Sequence, residues 1–236
     1  TYQTSFRDQE PSAECNPEPH IHLDGLAELI NFAINDGAQI ITISMAAPQI
    51  NAEFEDPFNA ALSRAINQGV IVVTGMGNTK TDNDGASFAS RNGFVGVSAV
   101  NLDGSFALDY SSSGYSVTTA AFGGPIKVRD YEKGNIGDMR GTSIATPIVA
   151  ASLALARQKW PDATSNQLLQ SLIHTGLSPQ HEWNKYTGYG PIDIGALVNT
   201  DPSQYPDENP VIHKSDDAFP TAEMILEYKD GRTDPP

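Results

Sequence analysis

GTSIATPIVA, residues 141–150, changes abruptly from a polar segment into a run of small and apolar residues. Small and apolar side chains continue at helical spacing at Ile148, Val149, Ser152, Leu153 and Ala156. This spacing predicts a helix with at least one buried side, and we expect Pro147 to lie in its first turn, where a missing N–H breaks no intrahelical hydrogen bond. Ser143 would then lie among free backbone N–H groups at the positive end of the helix dipole, a place that stabilises developing negative charge.

Composition limits the class of protein and its partners. The 236 residues are 39% hydrophobic, enough for one large domain with a core of ordinary size. A net charge of −15 argues against nucleic acid or an anionic membrane as a partner, because both attract positive charge. No apolar run approaches the roughly 18 residues of a membrane-spanning helix, and no amino-terminal stretch has the form of a signal peptide. We therefore expect no nucleic-acid partner and no direct membrane contact.

Strand and helix patterns alternate along the first half of the chain. Residues 24–36 have an amphipathic helical pattern that ends before Gly37, and a β-branched run follows at 38–44. A second helix opens at Asp56 and Pro57 and ends at Gly69, before another apolar run at 70–74. These short runs are typical of buried parallel strands, and a third lies at 94–100. The order predicts an α/β fold with a mainly parallel sheet and helices on both faces, a three-layer arrangement.

Polar residues directly after the second of these strands are candidates for a ligand site. Gly77 and Asn78 follow the run at 70–74, and ligands of open α/β sheets bind beyond the carboxyl ends of the strands. Taken alone, Asn78 also fits a strand-end turn in the left-handed conformation.

GTSIATP closely resembles the nucleophile motif of the subtilisin-like serine proteases, the subtilases. Gly77-Asn78, the segment 110–114 and a predicted closing strand at 189–194 also resemble family motifs, and the resemblance covers about residues 24–198. It implies a subtilisin-like fold and peptide-bond hydrolysis through an acyl-enzyme on Ser143. The oxyanion would be held by the side chain of Asn78 and the backbone N–H of Ser143.

The resemblance also implies where a peptide or protein substrate would bind. The family binds its substrate as an added strand between two segments, which correspond here to Ser44-Met45-Ala46 and Thr74-Gly75-Met76. Alanines at 46 and 47 replace family glycines and add methyl groups where the substrate backbone would pass. The cleft therefore either excludes extended peptides with bulky residues or is closed. The remaining interpretation is an ordinary strand end that carries alanines.

The family's aspartate and histidine motifs do not occur in this sequence. His20 and His22 lie in a proline-flanked context without the family's glycines, and they lack a third ligand at metal-binding spacing. Either an amino-terminal fragment or a second chain supplies the missing Asp and His, or the protein is an inert subtilase-fold binding or scaffold domain. We favour the first, because without the family's amino-terminal strands the sheet would expose an apolar edge. We expect the isolated chain to be nearly inactive.

The two ends of the sequence differ in character from the part between them. We expect residues 1–23 to form an irregular arm and residues 24–198 to form the partial catalytic domain. The proline- and acid-rich residues 199–236 predict an extended, solvated tail, in which only the apolar cluster Met224, Ile225 and Leu226 docks on the domain. Cys15 is either an incidental thiol or pairs with a chain outside this sequence. We expect no cofactor, and the family's structural calcium cannot be placed because Asp82-Asn83-Asp84 has no ligand pattern. The resemblance implies a bacterial protein at the cell surface or outside the cell.

Overall fold

The computed structural model describes residues 23–45, 55–82, 88–129, 134–178, 182–212 and 219–227. The helices are α1 Leu23–Asn35, α2 Glu55–Asn67, α3 Thr142–Lys159, α4 Ser165–His174, α5 Ile194–Asn199 and α6 Ala222–Glu227. The strands are β1 Ile40–Ile43, β2 Ile71–Gly75, β3 Phe94–Val100, β4 Val117–Phe122, β5 Ile126–Arg129 and β6 Ile136–Met139. The predicted arm lies outside the described residues, except that Leu23 already belongs to α1.

Strands β1 to β4 form one parallel sheet in chain order. Alternate residues of the strands point to opposite faces, so Ile71 and Val73 enter one core and Val70 and Val72 the other. Helix α3 crosses one face and packs against all four strands, while α1 and α2 contribute to the core on the opposite face. The predicted α/β architecture with helices on both faces is confirmed.

The edge position of β1 differs from the prediction of a buried strand. β1 pairs with β2 on one side, and no strand among the described residues pairs with its other side. Thr42 is exposed, and Ile40 and Ile41 are only half-buried. The pattern of apolar residues on both faces is present, but burial of both faces needs a neighbour that the described part of the chain does not supply.

The stretch between β3 and α3 holds structure that the sequence patterns did not predict. β4 completes the sheet, and β5 and β6 form an antiparallel hairpin that leads into α3. The closing strand predicted at 189–194 is wrong in its extent: it is reduced to a single bridge between Ala120 and Pro191, and α5 begins at Ile194.

Two local predictions need correction. Helix α3 begins at Thr142, so Pro147 is its sixth residue and lies inside the helix rather than in its first turn. Pro147 therefore cannot donate to the carbonyl of Ser143, four residues earlier. The tail is only partly solvated where the structure describes it: residues 206–208 are exposed, but Pro202, Val211 and Pro220 are buried and α6 packs on α2. Ile225, from the predicted docking cluster, is buried as well.

Candidate active site

Ser143 is the second residue of α3 and is half-buried. The residue before the helix, Gly141, has φ 155° and ψ 162°, a backbone conformation that is essentially restricted to glycine. Within the described part of the chain, neither the hydroxyl nor the backbone N–H of Ser143 has a hydrogen-bond partner. Both groups are available to a ligand in front of the helix.

The side chain of Asn78 is oriented by the first residue of the same helix. Its Oδ1 accepts a hydrogen bond of 2.8 Å from the backbone N–H of Thr142. The hydroxyl of Thr142 in turn accepts from the N–H of Gly77 at 3.2 Å. Since Oδ1 is occupied in this way, the Nδ2 of Asn78 remains as a donor, and no described residue accepts from it. Thr142 thus ties the loop after β2 to the start of α3.

A small space lies between these groups because residue 141 has no side chain. A Cβ atom at Gly141 would be 3.0 Å from Nδ2 of Asn78 and 3.2 Å from Oγ of Ser143. One nucleophilic oxygen and one amide donor therefore border the same point, at the end of α3 that also holds the N–H of Ser143. This arrangement can hold an oxyanion formed by attack of Ser143 on a carbonyl group.

The residues expected to bind substrate are distributed between surface and interior. Ser44 is exposed, and Met45 is half-buried with its carbonyl accepting a 3.2 Å hydrogen bond from the hydroxyl of Thr74. Thr74, Gly75 and Met76 are buried. The side chain of Met76 packs in the core, so only its main chain can take part in binding a peptide. Ala46 lies outside the described residues.

Tyr110 and Arg140 lie near the start of α3, and neither was assigned a role in the site from the sequence. Arg140 places its guanidinium carbon 5.6 Å from the centre of the Tyr110 ring. Burial raises the pKa of the Tyr110 phenol, and the positive charge of Arg140 partly opposes that rise. The only sequence signal that could have identified Arg140 was its position directly before the motif at 141–147.

No general base is placed next to Ser143 in the part of the chain that the structure describes. Of the histidines, His174 is the one inside the described ranges, and its ring stacks on Tyr205 at the end of α4 with centroids 4.8 Å apart. Over the same ranges no group of three His, Cys, Asp or Glu residues is arranged to hold a metal ion. A serine hydroxyl without a base is a poor nucleophile, so nucleophilic attack by Ser143 would need a base that the described residues do not place beside it.

The described helices include none that is both long and apolar enough to cross a membrane.

Comparison with known proteins agrees with the geometry. The sequence model of the family described as the Subtilase family, Peptidase S8, matches residues 16–190. A thermostable alkaline protease of Halalkalibacterium halodurans is 32% identical over 155 residues, which are 65% of this chain and 40% of that protein. Subtilisin BL of Lederbergia lenta is 29% identical over 175 residues, covering 71% of this chain and 62% of its own length. The chain thus spans roughly half of the length of these relatives.

Among solved structures, the fold is similar to the crystal structure of MycP1 with the N-terminal propeptide removed. The TM-score is 0.64 at 24% identity, and the match covers 79% of this chain and 69% of MycP1.

Proposed function

This chain belongs to the subtilase family of serine proteases, and on that basis we propose that it forms part of a serine endopeptidase that cleaves peptide bonds through an acyl-enzyme on Ser143. The carrying observation is that the Ser143 hydroxyl and the Asn78 amide border one space at the start of α3, where the Ser143 N–H also has no hydrogen-bond partner among the described residues. In the proposed reaction the hydroxyl attacks the scissile carbonyl, and the two N–H donors stabilise the negative oxygen that results.

The base and its orienting carboxylate come, in this proposal, from the amino-terminal part of a subtilase catalytic domain, either as a fragment or as a second chain. Its docking place is the unpaired edge of β1. A groove between α1 and β1, of about 360 Å³, runs along that edge and is apolar in character. Its walls include Leu26, Leu29, Ile30, Ile41 and Met45. An edge strand beside an apolar groove favours pairing with a further strand, and relatives of greater length have additional chain to supply one.

The outer face of α3 supports the same partner. Pro147, Ala151 and Ala154 are exposed and follow Ser143 at intervals of four, four and three residues, so all four lie on one stripe of the helix. Small side chains let a second helix approach closely, because the distance between helix axes depends on the side chains at the contact. A helix of the partner on this stripe would end beside Ser143, where a histidine is required.

The alternative proposal is a binding or scaffold domain of subtilase fold without catalysis. It is favoured by one observation, that none of the described residues provides a base beside Ser143. The similarity to bacterial proteases supports the further proposal that the protein acts outside the cell or at its surface.

The test is labelling of Ser143 by a fluorophosphonate, with Ser143→Ala as the control for site specificity. We expect the isolated chain to be labelled slowly and the chain together with the amino-terminal part that carries Asp and His to be labelled rapidly and to cleave peptides. Rapid stoichiometric labelling of the isolated chain contradicts the need for a partner. A bound partner that leaves labelling slow contradicts the protease and supports the scaffold.

A further inference from the structure

The order of the strands gives the active site a direction. Parallel strands end at the same edge of the sheet, so the segments that follow β1, β2, β3 and β4 are arranged along that edge in strand order. The start of α3 lies over the end of β2, because a Cβ at Gly75 would be 2.9 Å from the Thr142 hydroxyl. Ser44 and Met45 are therefore on one side of Ser143, and the segments after β3 and β4 are on the other.

Tyr110 and Arg140 occupy that second side. Tyr110 belongs to the segment after β3, and its ring is buried with 8% of the residue exposed. Gly124 follows β4, and a Cβ there would be 2.9 Å from the Cα of Arg140, which places Arg140 directly above the end of β4. The guanidinium is held over the face of a fixed aromatic ring, 5.6 Å from its centre. A planar guanidinium in this position is oriented before any ligand arrives.

The charge of Arg140 is not neutralised by the described part of the chain. Exposed Lys127 and Lys185 form ion pairs with Asp138 and Asp82, at 2.7 Å and 3.8 Å. Arg140 forms no ion pair with any described carboxylate, although the whole chain has a net charge of −15.

A second cation, Lys80, lies in the segment after β2 and contacts the segment that carries Tyr110. The backbone N–H of Lys80 donates to the carbonyl of Tyr110 at 3.3 Å, and the Lys80 side chain is exposed. The exposed carboxylate of Asp109 adjoins Tyr110 in sequence and pairs with neither cation. The side of Ser143 away from β1 therefore carries two cations, Arg140 and Lys80, that form no ion pair with Asp109 or with any other described carboxylate.

We propose that Arg140 is a specificity-determining residue that selects substrates with Asp or Glu at the first or second residue on the leaving-group side of the scissile bond. This inference rests on the proposed function, and it takes the acyl side of the peptide to lie along residues 44–45 and 74–76. A strand that continues past Ser143 must run toward Tyr110 and Arg140, and two residues of extended chain span about 7 Å. A carboxylate there forms a charge-assisted, bidentate pair with the stacked guanidinium.

The first experiment measures binding without catalysis. The Ser143→Ala chain is titrated with fluorescent peptides that represent the leaving-group product and begin with Asp or with Asn. We expect the Asp peptide to bind about fivefold more tightly, the scale of an exposed charge pair, and the advantage to shrink at high salt. Arg140→Gln removes the advantage, and Arg140→Lys retains part of it. The control is Arg129→Gln, which changes an exposed arginine on the hairpin that precedes Arg140 and leaves the advantage unchanged.

The second experiment separates this inference from the proposed function. The chain together with its amino-terminal partner is assayed on matched peptides with Asp or Asn on the leaving-group side. A fivefold preference in kcat/KM that Arg140→Gln abolishes supports the inference. Equal binding of the Asp and Asn peptides, or no measurable binding of either, overturns it whether or not the complex cleaves peptides. If the complex does not cleave peptides but still binds the Asp peptide more tightly than the Asn peptide, the role of Arg140 is supported and only the proposed protease activity is contradicted.

Discussion

Gly141→Ala tests whether the space between Asn78 and Ser143 is where the reaction takes place. The new methyl group would lie 3.0 Å from Nδ2 of Asn78 and 3.2 Å from Oγ of Ser143, closer than ordinary van der Waals contact. Any side chain at φ 155° and ψ 162° also strains the backbone by about 1–3 kcal/mol. We therefore expect a loss of stability of that order and, separately, obstruction of the oxyanion position.

The loss of one oxyanion donor lowers kcat by about 100- to 1,000-fold, a magnitude known from subtilisin itself. We expect the methyl group to slow fluorophosphonate labelling of the chain with its amino-terminal partner by about 100-fold or more. Urea unfolding of the isolated chain measures the strain independently of any catalysis.

Gly37→Ala is the matched control. Gly37 also has positive φ, at 80°, but a Cβ there has no atom within 4 Å and lies beyond the end of α1. We expect it to cost about 1–2 kcal/mol of stability and to leave the labelling rate unchanged. If Gly141→Ala destabilises the chain but is labelled as fast as wild type, the space beside Gly141 does not hold the oxyanion.

Three further outcomes follow from the contacts. Asn78→Ala removes the amide donor and the acceptor of the Thr142 N–H, so labelling should slow by about 100-fold, and an unchanged rate excludes Asn78 from the oxyanion site. Thr164→Ala breaks the capping box of α4 and should lower the free energy of unfolding by about 0.5–2 kcal/mol with no effect on labelling. Burial raises the pKa of Tyr110, so the stability that its neutral phenol contributes is complete below about pH 10 and is lost as the pH rises further. The Tyr110→Phe variant should therefore lose less stability than wild type between about pH 9 and 11 in urea titrations, and an equally steep loss would contradict this. A residual slope is expected from Tyr205, whose pKa burial also raises.

Strands that are buried and apolar were predictable, and strands that bury polar groups were not. The β-branched runs of β2 and β3 identify themselves because each is buried on both faces. β4 reads VTTAAF, and its threonines are tolerated in the core because Thr119 donates to the carbonyl of Gly190 and Thr118 accepts from the N–H of Gly96. Those partners are distant in sequence, so no local pattern indicates them.

The docking of residues 202–211 of the tail was missed for a related reason. Its proline and acid content suggested solvation, yet Asp207 accepts from Thr164 and Asn166 at the start of α4, and the carbonyl of Glu208 accepts from Gln170. Polar residues of the tail thus dock through hydrogen bonds, which composition does not reveal.

Ser143, Asn78 and their expected joint role were identified through their motifs, but the contact that orients Asn78 was not. The hydrogen bond between Asn78 and Thr142 joins positions 64 residues apart, and it determines which end of the amide faces Ser143. The contact of Arg140 with Tyr110 likewise depends on how the segments after β3 and β4 meet. The chemical groups of the site could be identified from the sequence, but their orientation depends on contacts between segments that only the fold brings together.

The incomplete parts of the fold and of the active site lie together. Tyr110, Arg140 and the loop that carries Asn78 lie on the side of Ser143 toward β3 and β4, where we propose that the leaving-group part of a substrate binds. We therefore expect a base to approach the Ser143 hydroxyl from the side of β1 and the exposed stripe of α3, which are also surfaces without a neighbour in the described chain. A partner that pairs with β1 would then extend the sheet beyond β1 and place the base beside Ser143 in a single binding event. Stability of the β1 edge and reactivity of Ser143 should accordingly rise together as such a partner is titrated in.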